Sequence, residues 1–252
     1  GKYEATDVGT PQGGNLSPLL SNIMLNELDY ELEHRGLNFT RYADDVVIVL
    51  KSKAAATRVM YSITDWIERK LGLKVNATKT KVTPPSKLKY LGFGFWKDKE
   101  GWKARPHESS VERLKRKLKA LCKRNWSIDL TYRIKKINEV SRGWINYFGI
   151  GSMKGFLQEY SAWMRHKVRA VLLKQWKRPG TIYRNLQKLN RYGKCGLSEE
   201  EIYKVANSRL GLYRRSNGYV MNYLLSPKIL GIKTKDRPGL IDPLEYYLAR
   251  CT

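Results

Sequence analysis

Phe39-Thr40-Arg41-Tyr42-Ala43-Asp44-Asp45-Val46-Val47-Ile48-Val49-Leu50 sets two adjacent carboxylates between runs of β-branched and aromatic residues. That is the pattern of a hairpin with an acidic tip. Asp is poor in strands, and neighbouring carboxylates repel once water is partly excluded. A solvated Asp-Asp turn is one way to satisfy the doublet. A hard cation that spreads the charge is the other, and Mg²⁺ binds through one or two carboxylates plus phosphate oxygens.

About thirty residues upstream runs Gly9-Thr10-Pro11-Gln12-Gly13-Gly14-Asn15-Leu16-Ser17-Pro18. Ser17 reads as an N-cap with Pro18 at the first helical position. A helix is predicted over about 18–34. Leu20, Ile23, Met24, Leu28 and Leu32 recur along it at helical spacing, which predicts a packed apolar face. Gly13 and Gly14 permit close approach of a ligand to the backbone, and the Gln12 amide both donates and accepts. A Gly-rich helix entry that binds nothing fits the same residues.

The rest of the chain predicts an α+β layer followed by an all-α region. The layer takes residues 1–105. It contains a helix over 53–71 with Val59, Ile63 and Ile67 inward, strands near 73–75 and 88–96, and a hairpin over 96–102 closed by Arg105-Pro106. Residues 106–180 form a helical domain with helices near 108–124, 129–148 and 155–176. Leu114, Leu118, Leu121, Ile134, Ile137 and Trp144 lie on its core faces. Pro179-Gly180 breaks the chain, and 181–252 is a C-terminal extension with helices near 181–190, 198–208 and 242–250.

The net charge is +25 and the pI near 10, beyond what solubility requires. Residues 1–100 carry 15 Lys and Arg against 12 Asp and Glu, so nearly all the excess lies further along. Lys115, Arg116, Lys117, Lys119, Lys123 and Arg124 cluster on one predicted helix, with Lys135, Lys136, Arg142, Lys167, Arg169, Lys174, Lys177 and Arg178 following. Unbalanced cations on successive helices favour phosphate contacts. The interleaved Trp126, Trp144, Tyr147, Trp163 and Trp176 suit base stacking or helix packing equally. Cys122, Cys195 and Cys251 are isolated from one another and from His34, His107 and His166, which argues against a disulfide scaffold or a zinc site and for a reducing, intracellular setting. No apolar run approaches the length of a membrane span, and no cleavable signal is visible.

Pro11-Gln12-Gly13-Gly14 with Leu16-Ser17-Pro18, followed by Tyr42-Ala43-Asp44-Asp45, resembles the palm of reverse transcriptases encoded by group II introns. Leu71-Gly72-Leu73-Lys74-Val75-Asn76 leading to Lys79-Thr80-Lys81 is similar to the family's next palm block, and Tyr90-Leu91-Gly92-Phe93 to the strand that grips the primer end. Arg142-Gly143-Trp144-Ile145-Asn146-Tyr147-Phe148 resembles the thumb helix. Residues 163–177 and 207–217 resemble the maturase region. The resemblance implies an incomplete polymerase-type palm followed by an all-α thumb/maturase domain.

It also implies RNA-directed DNA synthesis by nucleotidyl transfer with two Mg²⁺ ions, Mn²⁺ being an alternative. Asp44 and Asp45 would be the catalytic metal ligands. Lys79 would approach the triphosphate, although an exposed lysine fits that position too. Gln12, Gly13, Gly14, Tyr42 and Ala43 would lie near nucleotide and template, with Leu91 and Gly92 at the primer grip. Implied partners are group II intron RNA, an RNA template/DNA primer duplex and deoxynucleoside triphosphates in a bacterial cytoplasm, with no membrane. RNA contacts would come from Lys115, Arg116, Lys119, Lys123, Arg124, Arg142, Lys167, Arg169, Lys174 and Lys177. A non-catalytic RNA-binding maturase module is the alternative, as is a retron or diversity-generating reverse transcriptase. Polymerase palms of this kind also use an earlier aspartate strand and preceding fingers, and the only acids before Gly9 are Glu4 and Asp7. The chain, which begins with Gly1, is therefore expected to be the downstream part of a larger protein and not to extend a primer alone.

Overall fold

A computed structural model describes residues 16–235 and 237–251. The chain divides into two compact units, 1–84 and 85–252, so the expected boundaries after 105 and 180 both fall inside the second. In the first unit, helix α1 (Ser17–His34) leads into the antiparallel pair β1 (Asn38–Tyr42) and β2 (Asp45–Val49), followed by α2 (Lys53–Lys70). Leu28, Leu32 and Ile63 are buried at its centre, with Phe39, Val46, Ile48, Val59 and Ile67 packed around them. Ser52 opens α2 by accepting a hydrogen bond from the Ala55 amide.

Three expectations fail in this unit. Ser17 is the first residue of α1 and Leu16 the N-cap, with no side-chain cap bond. Of the five residues expected on a packed face, Leu28 and Leu32 are buried, whereas Leu20, Ile23 and Met24 are exposed. Residues 73–75 are not a strand and pair with neither β1 nor β2, the strands of this unit among the described residues. The segment instead runs into an Asx turn, in which Asn76 Oδ1 accepts from the Thr78 amide, the Thr78 hydroxyl and the Lys79 amide.

The second unit opens with a 3₁₀ turn (Pro85–Lys87) and the antiparallel sheet β3 (Lys89–Tyr90), β4 (Phe93–Lys97) and β5 (Trp102–Pro106), ordered as in sequence. Helices follow: α3 (Glu108–Leu121), α4 (Leu130–Phe148), α5 (Lys154–Trp176), α6 (Pro179–Gly193), α7 (Glu199–Ala206), α8 (Leu212–Arg215), α9 (Tyr219–Leu224), α10 (Pro227–Leu230) and α11 (Pro243–Cys251). Leu114, Leu118, Ile134 and Ile137 are buried, and Leu121 and Trp144 pack half-buried against the same core. The sheet belongs here because Phe93 enters that core and meets the Phe148 ring at 4.9 Å.

Local chemistry explains the helix starts. Asp129 accepts from the Tyr132 amide to cap α4, and Ser198 with Glu201 forms a full capping box on α7. The break expected at Pro179-Gly180 lies just before it, at Lys177 and Arg178 between α5 and α6. Pro179 starts α6, since a first-turn N–H has no helical partner to lose. Helix α3 stops short of 124 because the Arg133 side chain takes over the carbonyls of Leu121, Lys123 and Trp126.

Candidate metal centre and nucleic-acid interface

Tyr42 pairs with Asp45 at the end of the β1–β2 ladder, which leaves Ala43 and Asp44 as a two-residue loop. The acidic tip is therefore offset by one residue from the sequence reading: Asp44 lies in the loop and Asp45 opens β2. Ala43 takes φ 54°, in the left-handed region that a tight hairpin demands and that a residue with a Cβ resists. Cross-strand partners share a face, so Arg41 with Val46 stands on the face packed on α1, and Tyr42 with Asp45 on the opposite one. Tyr42, Ala43, Asp44 and Asp45 are all exposed.

No described residue gives Asp44 or Asp45 a side-chain hydrogen bond or an ion-pair partner. Among the described residues there is also no cluster of three or more His, Cys, Asp or Glu side chains that could enclose a metal. Two free hard-oxygen donors at one turn suit a divalent cation that completes its shell with phosphate oxygens and water. They do not make a closed site.

Arg41, which the sequence reading passed over, ties the hairpin tip to α1. Its Nε donates to Asp29 Oδ1 at 2.7 Å, Nη2 pairs with the other oxygen, and Nη1 reaches Asn22 Oδ1 at 2.9 Å and the Ala43 carbonyl at 3.0 Å. An arginine in a half-buried strand facing a helix rich in Asn and Asp was the available signal.

Gln12, Gly13 and Gly14 lie outside the described residues. Lys79 is exposed, within the Asx turn of Asn76. Leu91 and Gly92, read as part of a strand, form the two-residue turn between β3 and β4, both with positive φ. The Gly92 carbonyl accepts from the His107 amide and the Ser110 hydroxyl, each at 2.9 Å, so the turn is seated on the start of α3. A Cβ on Gly92 would stand 3.1 Å from Ser110 Oγ and 3.2 Å from Phe148 Cζ.

The basic residues divide into surface and interior. Arg116, Lys119, Lys123, Arg124, Arg142, Lys174 and Lys177 are exposed, Lys115 and Lys167 half-buried, and none of these forms an ion pair with a described residue. Lys167 lies over the Tyr213 ring at 4.4 Å and the Trp163 ring at 5.7 Å, while Arg142 approaches Tyr246 at 6.0 Å. Arg169 does not belong with them. It is 5% exposed, donates to the Leu225 carbonyl at 3.1 Å and bonds Asn222 Oδ1, and burial followed by the nearby Arg165 charge lowers its pKa to about 10. Its donors are directed at α9 and the residue after it, inside the fold. Among the tryptophans and the tyrosine considered for stacking, Trp126 and Tyr147 are exposed; Trp144, Trp163 and Trp176 pack against the core.

Residues 2–95 match the profile of the reverse transcriptase (RNA-dependent DNA polymerase) family, and residues 111–193 that of the group II intron maturase-specific domain. Protein YkfC of Escherichia coli (strain K12) is 33% identical over 116 residues, covering 32% of this chain and 30% of that protein. The retron Ec86 reverse transcriptase of Escherichia coli is 33% identical over 96 residues, covering 36% of this chain and 30% of that protein. The matched regions thus span under a third of the length of either relative. No described helix is long and apolar enough to cross a membrane. A reverse transcriptase match followed in the same chain by a maturase-specific match is the combination consistent with a group II intron reverse transcriptase/maturase.

Proposed function

We propose that this sequence serves an RNA-directed DNA polymerase that is also the maturase of a group II intron in a bacterial cytoplasm. The observation that carries the reading is the free carboxylate pair of Asp44 and Asp45 at a hairpin tip inside the reverse transcriptase match, followed in one chain by the maturase-specific match. Asp44 and Asp45 would hold Mg²⁺, or Mn²⁺ in its place; two such ions stabilise the attacking and leaving oxygens of nucleotidyl transfer. Tyr42 and Ala43 shape the turn beside the primer end. Lys79 neutralises the triphosphate, and Gln12, Gly13 and Gly14 lie toward nucleotide and template. Leu91 and Gly92 serve the primer grip. By function, 1–105 acts as palm, 106–180 as thumb and 181–252 as the C-terminal maturase region.

The unpaired Lys115, Arg116, Lys119, Lys123, Arg124, Arg142, Lys167, Lys174 and Lys177 support binding of intron RNA and of the template–primer duplex through phosphates. The maturase-specific match favours this reading over a retron enzyme. In the polymerase that carries this sequence, Asp44→Ala abolishes primer extension and leaves intron RNA binding and splicing assistance intact. Replacing Lys115, Arg116 and Lys119 together lowers RNA affinity and flattens its salt dependence by about one log–log unit per lost phosphate contact. Primer extension that survives Asp44→Ala would remove the polymerase reading. RNA affinity indifferent to both salt and the triple replacement would remove the binding surface.

A further inference from the structure

The Arg41 guanidinium bonds the Asp29 carboxylate at two points, and it donates to Asn22 Oδ1 and to the Ala43 carbonyl. Its side chain is 12% exposed and that of Asp29 24%, so the pair is only partly screened by solvent. The planar fork of an arginine matches a carboxylate at two points and still has a nitrogen to aim elsewhere, which a lysine cannot do. Here that nitrogen is aimed at the peptide joining Ala43 to Asp44. Ala43 occupies a left-handed conformation that glycine would adopt freely, so a contact that holds its carbonyl counters the tendency of the turn to relax. Asp29 neutralises the guanidinium at the same time. Arg41 therefore orders the tip without acting as a counter-ion to Asp44 and Asp45.

We propose that Arg41 is a positioning residue for the cation-binding turn: bridging Asp29 and Asn22 of α1 to the Ala43 carbonyl, it fixes the backbone from which the Asp44 carboxylate projects. The inference rests on the reading of Asp44 and Asp45 as cation ligands. It differs from a simple clamp between hairpin and helix, because such a clamp would leave the turn indifferent to the hydrogen bond on the Ala43 carbonyl.

The test uses the ¹⁵N-labelled 252-residue chain, with amide relaxation measured without metal and Mn²⁺ then titrated in to follow paramagnetic broadening. In the unaltered chain the amides of residues 43 and 44 behave as rigid backbone, and Mn²⁺ broadens residues 44 and 45 first. Arg41→Lys lowers the order parameters of residues 43 and 44 toward the ~0.6 of a flexible segment. It also raises the Mn²⁺ concentration for half-broadening about tenfold, the usual scale for loss of a residue that orients a ligand, while α2 resonances stay in place. Asp29→Asn, milder for folding, gives the same direction and carries the comparison if Arg41→Lys fails to fold. A turn that stays rigid in both variants, with unchanged Mn²⁺ response, overturns the proposal. If Mn²⁺ ignores residues 44 and 45 in the unaltered chain, the cation reading of the tip falls, and the metal-free relaxation data still decide whether Arg41 orders the turn.

Discussion

The phenol of Tyr147 donates a hydrogen bond to the carbonyl of Leu91 at 3.0 Å, joining residues 56 positions apart in the chain. With the His107 amide and the Ser110 hydroxyl on the Gly92 carbonyl, the β3–β4 turn is held from α3 and α4 together. Gly92 has φ 81°, and a Cβ there would crowd Ser110 and Phe148, so Gly92→Ala should destabilise the chain by more than ~1 kcal/mol in urea unfolding. Tyr147→Phe removes one hydrogen bond and should cost about 0.5–1.5 kcal/mol. An unchanged unfolding midpoint for Gly92→Ala would mean that the turn is not held this tightly.

Arg133 is 1% exposed, has no carboxylate partner among the described residues, and donates to the carbonyls of Leu121, Lys123 and Trp126. The Lys123 and Trp126 carbonyls also accept from the Trp126 and Ile128 amides, so substitution of Arg133 deprives above all the Leu121 carbonyl, at the end of α3. Arg133→Met should therefore cost about 1–3 kcal/mol for each carbonyl that stays buried. Hydrogen exchange should show the loss first in residues 121–128, ahead of α5.

Burial pushes the Cys122 thiol up to about 11, outweighing the opposing influence of Arg133 and Lys167. Thiolate is the reactive form, so at pH 8 alkylation of the native chain should mark the half-buried Cys195 well before Cys122. The linkage runs the same way. Between pH 9 and about 11 the unfolded chain gives up this proton before the folded one, so the contribution of Cys122 to stability is complete below pH 9 and declines as pH rises. Peptide mapping after iodoacetamide treatment at several pH values checks both. Labelling of Cys122 at pH 8 as fast as Cys195 would contradict its burial.

Arg169 and Lys174 share α5 yet should respond oppositely. Arg169→Gln breaks the bonds to Leu225 and Asn222 and should lower thermal stability, with RNA affinity falling only as the protein unfolds. Lys174→Gln with Lys177→Gln should leave stability within about 0.5 kcal/mol, as for surface substitutions generally, and reduce the salt slope of RNA binding. Melting curves and filter binding at several salt concentrations separate the two. Equal effects on RNA binding with unchanged melting would place Arg169 on the RNA surface after all.

Much of the local structure was legible. Apolar residues at helical spacing marked α2, α3 and α4 because these helices turn such residues inward. Asp129 and Ser198 stand at the expected starts of their helices, and in the structure the side-chain oxygen of each meets an orphan amide there. The acidic hairpin was legible for the same local reason. What misled was any feature decided by a neighbour distant in sequence. Leu91-Gly92 read as strand because its flanks are β formers, whereas helices α3 and α4 hold it as a turn. The 73–75 segment had strand composition, yet it joins neither described sheet and runs into the Asx turn of Asn76.

The chain's residues alone determined the order of its elements, the acidic tip and the basic excess of the second half, since periodicity, turn chemistry and charge are properties of short stretches. Tertiary structure alone decided that residues 85–106 join the helices, that Arg169 faces inward, and that Arg41 meets Asp29 and Asn22 of α1. The reason is physical: a side chain's type is written at its own position, while its burial and its hydrogen-bond partners depend on whichever parts of the chain fold against it.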